Sequence, residues 1–556
     1  MIAFLLFWLG FAEAAEEDSA QVKGLRLSAR YAFPQRVGRG YWPLSIQVHN
    51  TSSEERDLQI RVTPLYGWDQ EGTYQDIHLL AGEQRELEFM LPAWLDSPGN
   101  VTVTARADGA EVAELYNLGP EESIGWDELA YIVVQPDEGD LTLEAKWQEA
   151  FDIGVYGGGV ITRFDDLPTE WVAYSCLDVV IIPTNTGLPP ESAMGPILEY
   201  MRSGGNVMVV GAGATRLVDS HPGLASWAES RFDLQDPAQW TRYQAGKGRL
   251  VVWEDATLDA WSLNPVIGSL RDGELQTWSP GTPYYGGPSI YPVIPGIGNI
   301  PAVRFSLLML IVAFTLGPAN YLLVRLLKRP SLLLLTTPLL ATASTAVLVG
   351  YGIASQGLGV KTASWSYTVL DQRIHRASTS EMRQLFAGRS PGKGLRPADG
   401  TWHFAPERDW NFKYEMAISD EGRLVSGDML PVRVAHRTIQ LSEGPSRLRV
   451  TLDGERIENG LDEEILNILV MKDGAFYQAT EIEAGTTATL RPVDRMTLER
   501  EHNAIWSSTW DATYADRPVL RDGTYVARLA RSPFIDHDGL EPKEIAGHHV
   551  VVGVME

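Results

Sequence analysis

The sequence predicts a multidomain, β-rich fold: an N-terminal β-sandwich, an α/β domain, a two-helix transmembrane hairpin and a C-terminal β-rich, immunoglobulin-like region. Three observations predict it. Two long apolar runs, 305–324 and 331–353, are joined by a short basic turn. Period-two alternation of apolar and polar residues recurs through 21–118 and again through 357–556. Between these regions, short continuous apolar runs alternate with a stripe of helical spacing. At 556 residues the chain exceeds what one core organises.

The hairpin sets the expected compartment. Each run is long enough to cross a hydrocarbon layer of ~30 Å at ~1.5 Å per residue. Arg325, Lys328 and Arg329 lie between the runs, with no acid among them. Basic residues in short loops stay cytoplasmic, so the turn is expected inside. The segments before and after 304–353 are then expected outside, in a two-pass protein of a cytoplasmic (inner) membrane whose N- and C-terminal domains are periplasmic or otherwise extracytoplasmic. The start of the chain agrees: residues 2–11 are apolar, and Ala12-Glu13-Ala14 has the small-x-small spacing of a signal-peptidase site, giving an expected signal peptide over 1–14. No Lys or Arg precedes that run, and a buried first strand is the alternative reading.

Net charge is −26 although the membrane turn is basic, so the exported parts are strongly acidic. Such a surface argues against nucleic acid and anionic lipid as partners. Cys176 is the only cysteine, which excludes an intrachain disulfide and a thiolate metal cluster. An animal ectodomain of this size usually carries disulfides, so a bacterial envelope protein fits better. The Asn50-Thr51-Ser52 and Asn100-Val101-Thr102 sequons then carry no glycan.

In residues 21–118, Leu44, Ile46 and Val48 alternate with polar residues. So do Leu58, Ile60 and Val62, then Leu87, Phe89 and Leu91. Polar turns separate the runs, which is the pattern of a sandwich. The rhythm changes in 126–278. The apolar runs 131–134, 179–182 and 207–210 read as buried parallel strands. Pro189 and Pro190 can start a helix whose stripe is Met194, Ile197, Leu198 and Met201, and Gly204-Gly205 ends it. Pro196 within the stripe is tolerable in the first turns and otherwise kinks the helix. Strand, helix, strand makes a right-handed crossover in a parallel sheet. Ligands of open α/β sheets bind beyond the carboxyl ends of the strands, which places Gln135, Asp137, Thr184, Asn185, Thr186, Gly211, Gly213 and Thr215 as candidate ligand-binding residues. Ordinary loop chemistry is the alternative for the same residues. Residues 279–303, with Tyr284, Tyr285 and Tyr291, read as a juxtamembrane linker.

The stretches 171–174, 177–182 and 204–211 together resemble class I glutamine-amidotransferase-like domains over roughly 90 residues, a resemblance that implies a flavodoxin-like fold. Active members carry Cys in a Gly-x-Cys-x-Gly elbow and His-x-Glu downstream. Here the elbow is Gly211-Ala212-Gly213, Cys176 precedes a strand, and none of the ten histidines has Glu two positions on. An amidase needs an activated thiolate and a positioned base, so no catalytic residue, cofactor or metal is expected. The whole layout, with Gly317-Pro318-Ala319-Asn320-Tyr321 and residues 329–338, resembles a group of bacterial envelope proteins. Related amidotransferase-like domains occur in auxiliary components of ABC transporters. The resemblance implies a non-catalytic scaffold or binding protein in contact with the bilayer and with other envelope or membrane proteins. A ligand-binding receptor or transporter component using the α/β cleft is the alternative, ahead of a hydrolase.

In the hairpin, Asn320 needs a partner in lipid, and Thr336, Thr337, Thr342 and Thr345 offer hydroxyls. Gly317, Pro318, Asn320, Thr337 and Thr342 are the candidate helix-packing residues. They either lock the hairpin or bind other membrane helices. In the tail, Asp399-Gly400, Asp453-Gly454, Asp473-Gly474 and Asp522-Gly523 are hairpin turns. Asp536, His537, Asp538, His548 and His549 have metal-ligand chemistry. Adjacent His548 and His549, however, point to opposite faces of a strand, which argues against a shared ion.

Overall fold

The computed structural model describes residues 18–22, 24–33, 35–36, 40–64, 72–92, 100–119, 122–123, 129–135, 157–184, 187–220, 224, 231–232, 240–254, 292–297, 302–390, 392, 394–404, 414–427, 430, 432–510 and 520–555. The expected signal peptide and Tyr284, Tyr285 and Tyr291 lie outside the described residues.

The alternation in the N-terminal region becomes two sheets. One has four antiparallel strands in the order Asp18–Val22, Leu25–Tyr31, Tyr41–Asn50, Gln84–Pro92. The other contains Gly72–Leu79, Arg56–Pro64, Val101–Ala107 and Ala110–Leu118. Leu44, Ile46 and Val48 from the first sheet and Leu58, Ile60 and Val62 from the second enter one core. The period-two pattern predicts that inward face.

That second sheet is not closed by its own region. The strand Tyr414–Ser419, from beyond the apolar helices, pairs in parallel with Gly72–Leu79, with Glu415 opposite Gly72 and Ile418 opposite Gln75. Gly422–Gly427 follows as the sheet's edge. Arg61, on Arg56–Pro64, reaches past the intervening Gly72–Leu79 strand to Glu415 at 3.1 Å. One hairpin of the β-rich tail thus belongs to the N-terminal sandwich. Alternation specifies which face of a strand is buried; it leaves the partner open.

The parallel runs form a seven-stranded sheet in the order Gly157–Arg163, Leu129–Gln135, Val179–Pro183, Asn206–Val210, Gly248–Trp253, Trp240–Ala245, Arg231–Phe232. The first five are parallel and the last two antiparallel. The helix Glu191–Ser203 covers it with Met194, Ile197, Leu198 and Met201 buried, starts after Pro190, and runs unbroken through Pro196. Gly204, at φ +129°, ends it, and its N–H donates to the Met201 carbonyl at 3.1 Å.

The remaining tail forms a nine-stranded sheet, whose central strands are Arg376–Ala387, Val360–Asp371 and Lys543–Val554, and a three-stranded sheet facing it. Against these packs a helix, Arg495–Trp510, where a β-rich region alone was expected. Its start is marked by Asp494, whose carboxylate accepts the Thr497 N–H at 2.7 Å, and it buries Ile505 and Trp506 against Tyr367 and Val526.

The N-terminal sandwich, the α/β domain and the long sheet meet at Tyr41. Its N–H donates to Ser175 Oγ at 2.9 Å and its hydroxyl to the His403 carbonyl at 2.5 Å. Its ring lies 4.9 Å from that of Trp402. Gly40, at φ +71°, admits this approach: a Cβ there would sit 2.4 Å from the Ser175 backbone. Further ties join the α/β domain to the long sheet, where Arg376 contacts both Glu199 and Glu443.

The two apolar runs are helical. Ser306–Leu326 is 21 residues and Leu333–Gly352 is 20, each sufficient for ~30 Å of hydrocarbon. Apart from Asn320 and Val324, their side chains are largely exposed, Leu334 at 84%. An exposed apolar surface of this extent marks contact with a membrane or with another protein. The first helix widens into a π turn at Thr315–Ala319, where Pro318 lacks the N–H that the regular ladder requires.

Candidate functional site

Because Leu129–Gln135, Val179–Pro183 and Asn206–Val210 are parallel and neighbouring, their carboxyl ends share one edge. Gln135 is buried there. The Thr184 N–H donates to the Val210 carbonyl at 2.9 Å and the Gly211 N–H to the Trp253 carbonyl at 2.8 Å. Asp137, Asn185 and Thr186 lie outside the described residues. Gly211 and Gly213 hold φ +117° and +85°, a backbone state in which glycine is unstrained.

The loop after Asn206–Val210 is filled by the chain itself. Glu254, just past the neighbouring strand, accepts the Gly213 N–H at 2.9 Å and the Thr215 N–H at 2.6 Å. These are the donors at the start of the short helix Ala214–Ser220, and an anionic ligand would seek the same N–H groups. Hydrogen bonds from Thr215, with that from Gly213, hold the Glu254 carboxyl below the usual range. Gly211, Gly213 and Thr215 therefore have a structural task in this conformation. Ala212 is exposed between the two glycines. Cys176 is buried at the amino end of its strand, with its thiol on the Ala173 carbonyl at 3.3 Å. It is at the opposite edge of the sheet from Ala212, so no thiol stands at the strand-end elbow.

The polar tail residues separate into two buried networks. In the first, Asp538 contacts Arg383 and accepts from His403 Nε2 at 2.8 Å. Glu381 lies 3.7 Å from Arg383. Although burial raises it, the Asp538 carboxyl is held well below the carboxylate range by Arg383 and His403. Burial pushes Glu381 up to about 8, against the pull of Arg383. In the second, Ser366 Oγ is 2.8 Å from His549 Nδ1, and His549 Nε2 is 2.9 Å from Glu544. Ser364 also donates to Glu544, at 2.6 Å.

Hydroxyl, imidazole and carboxylate in sequence is the order of a nucleophilic triad. Ser366 and His549 are each only 1% exposed, however, so the chain of bonds ties the parallel strands Val360–Asp371 and Lys543–Val554 together. Sequence reading missed it because Ser366 and His549 are 183 positions apart with no local motif. His548 leaves the other face of its strand and donates to the Ile505 carbonyl at 2.7 Å; burial pushes it down to about 4. Among the described residues no group of three or more His, Cys, Asp or Glu side chains is arranged to hold a metal ion.

In the hairpin, Asn320 Nδ2 donates to Thr337 Oγ1 at 3.1 Å, and Asn320 is 1% exposed. Val324 is buried beside it. Gly317 and Thr342 lie away from this seam: a Cβ on Gly317 meets nothing within 4 Å, and Pro318 and Thr342 are exposed. Neither Gly317 nor Thr342 packs the two helices together. Gly317 instead belongs to the π turn beside Pro318, and Thr342 faces outward on the second helix.

No protein-family model and no curated protein matches the chain. Solved structures with local likeness include a β-glucosidase from Listeria innocua, at 13% identity and TM-score 0.14 over 19% of this chain and 16% of that one. An exo-chitosanase from Amycolatopsis orientalis has 12% identity and TM-score 0.14 over 34% of this chain and 23% of its own. A β-glucuronidase from Bacteroides uniformis has 13% identity and TM-score 0.13 over 37% and 25%. The chain spans a quarter or less of each of these proteins, and similarity at this level carries no inference about activity.

Proposed function

We propose that the chain is a two-pass membrane anchor carrying one composite, non-catalytic scaffold or binding ectodomain on the extracytoplasmic face of a bacterial cytoplasmic membrane, where it associates with other envelope components. The observation that carries this reading is the parallel pairing of Tyr414–Ser419 with Gly72–Leu79. Segments on either side of the apolar hairpin hydrogen-bond to each other, so they occupy the same side of any membrane the hairpin crosses. The basic turn of Arg325, Lys328 and Arg329 supports a cytoplasmic hairpin tip.

Two features support the non-catalytic part. Numbered along the chain, the five parallel strands fall in the order 2-1-3-4-5, which supports a flavodoxin-like domain of the amidotransferase kind. The elbow of that domain holds Ala212, and a methyl group cannot attack an amide carbonyl. The purified full chain should therefore release no ammonia from glutamine. Ammonia release that disappears in the Cys176→Ser variant would overturn the non-catalytic reading.

A further inference from the structure

The strand registers gather one row of residues where the hairpin joins the long sheet. Val360 pairs with Ala387, Lys361 with Lys543, and Phe386 with Ala435, while Ala387 bridges to Val432. The second apolar helix, Leu333–Gln356, ends directly before this row. A Cβ on its Gly352 would lie 3.4 Å from Arg433 Nη1. The segment before the first helix docks on the same row. Its Ile294 N–H donates to Gln384 Oε1 at 2.8 Å, and Ile294 and Ile297 are buried against Ala363 and Phe386. Both ends of the hairpin are thus fastened to one end of the sheet, and this neck is where the apolar helices meet the folded domains.

The neck differs from the rest of the exterior. Large apolar side chains stand exposed on it: Leu358 at 48%, Val432 at 46% and Val434 at 55%. Arg389, Arg433 and Lys543 are exposed in the same row, and no carboxylate pairs with them among the described residues. Glu544, beside Lys543, turns inward to His549 and Ser364. Glu541 is the exposed acid nearest Lys543 along the chain. In a protein with 72 acidic and 46 basic residues, three unpaired cations interleaved with aliphatic side chains are a local reversal of charge.

We propose that this neck is a lipid-binding surface: Leu358, Val432 and Val434 enter the interface while Arg389, Arg433 and Lys543 bind anionic phospholipid headgroups. The proposal rests on the membrane reading above. Charge complementarity and continuity with the apolar hairpin identify the occupant. Clustered cations beside a transmembrane helix attract anionic headgroups, and exposed aliphatics settle at the headgroup–acyl boundary. The acidic remainder of the ectodomain, repelled by the same headgroups, would point away and fix the tilt of the sheet.

The test uses the full chain in lipid nanodiscs, with an environment-sensitive fluorophore on Val434→Cys; native Cys176 is buried and stays unlabelled. Adding an anionic phospholipid to zwitterionic discs should shift emission to the blue and reduce quenching by aqueous iodide. The combined variant R389E/R433E/K543E should lose most of that shift. Identical emission in the two lipid mixtures would overturn the proposal. A fluorophore on Leu310→Cys separates this failure from failure of the anchor: quenching there by iodide in both mixtures would mean that the hairpin itself is not in the bilayer.

Discussion

Arg383→Met should lower the stability of the long sheet by about 3–5 kcal/mol, the cost of breaking a buried ion pair from one side. The guanidinium is 2% exposed and contacts Asp538, which has no exposed surface, and the neighbouring Glu381 is almost as deep. Methionine fills a similar volume but leaves the Asp538 carboxylate with the His403 hydrogen bond and no guanidinium. Glu381, already raised to about 8 by burial, can take a proton at neutral pH and contributes less to the loss. The expected result is a clear fall in the urea midpoint of intrinsic fluorescence. Arg383→Met combined with Asp538→Asn should recover part of it, because the stranded charge is then gone. A midpoint unchanged by Arg383→Met would mean that the network is not the buried ion cluster described here.

Met416→Asp should unfold a part of the molecule that is distant in sequence. Met416 lies on the Tyr414–Ser419 strand opposite Thr73, is 1% exposed, and belongs to the core that contains Leu58, Ile60 and Val62. An unpaired carboxylate there costs several kcal/mol, roughly the stability of a small sheet. Limited proteolysis should then cut within the N-terminal sandwich, while the region around the Arg495–Trp510 helix stays protected. Cleavage confined to 405–430 would show that the N-terminal sandwich does not depend on the strand from the tail.

Local chemistry was legible and long-range partnership was not. The alternation at Leu44, Ile46 and Val48 specified a strand and its inner face because a strand with one buried face repeats every second residue. The stripe of Met194, Ile197, Leu198 and Met201 specified its helix in the same way. The apolar runs around Asn320 were legible because bilayer thickness dictates a length. The pairing of Tyr414–Ser419 with Gly72–Leu79 leaves no local trace, since any exposed strand edge presents the same N–H and C=O groups. The Arg495–Trp510 helix did leave one, in Asp494, a favoured N-cap residue, but its neighbours lack a clear apolar stripe. At the strand ends, Gly211, Gly213 and Thr215 had ligand chemistry by sequence. Glu254, which occupies their backbone donors, was legible only once the strand order placed Trp253 beside Val210.

In the proposed topology the N-terminal sandwich and the tail form one body on one face of the membrane, with the hairpin tip on the other. Single cysteines at Asp108, Asp473 and Leu327 test it directly, read out by a membrane-impermeant maleimide on cells made permeable only in the outer layers of the envelope. Labelling is expected at Asp108→Cys and Asp473→Cys, and at Leu327→Cys only after the cytoplasmic membrane is breached. Labelling of one soluble position without the other, or of Leu327→Cys in sealed cells, would contradict it.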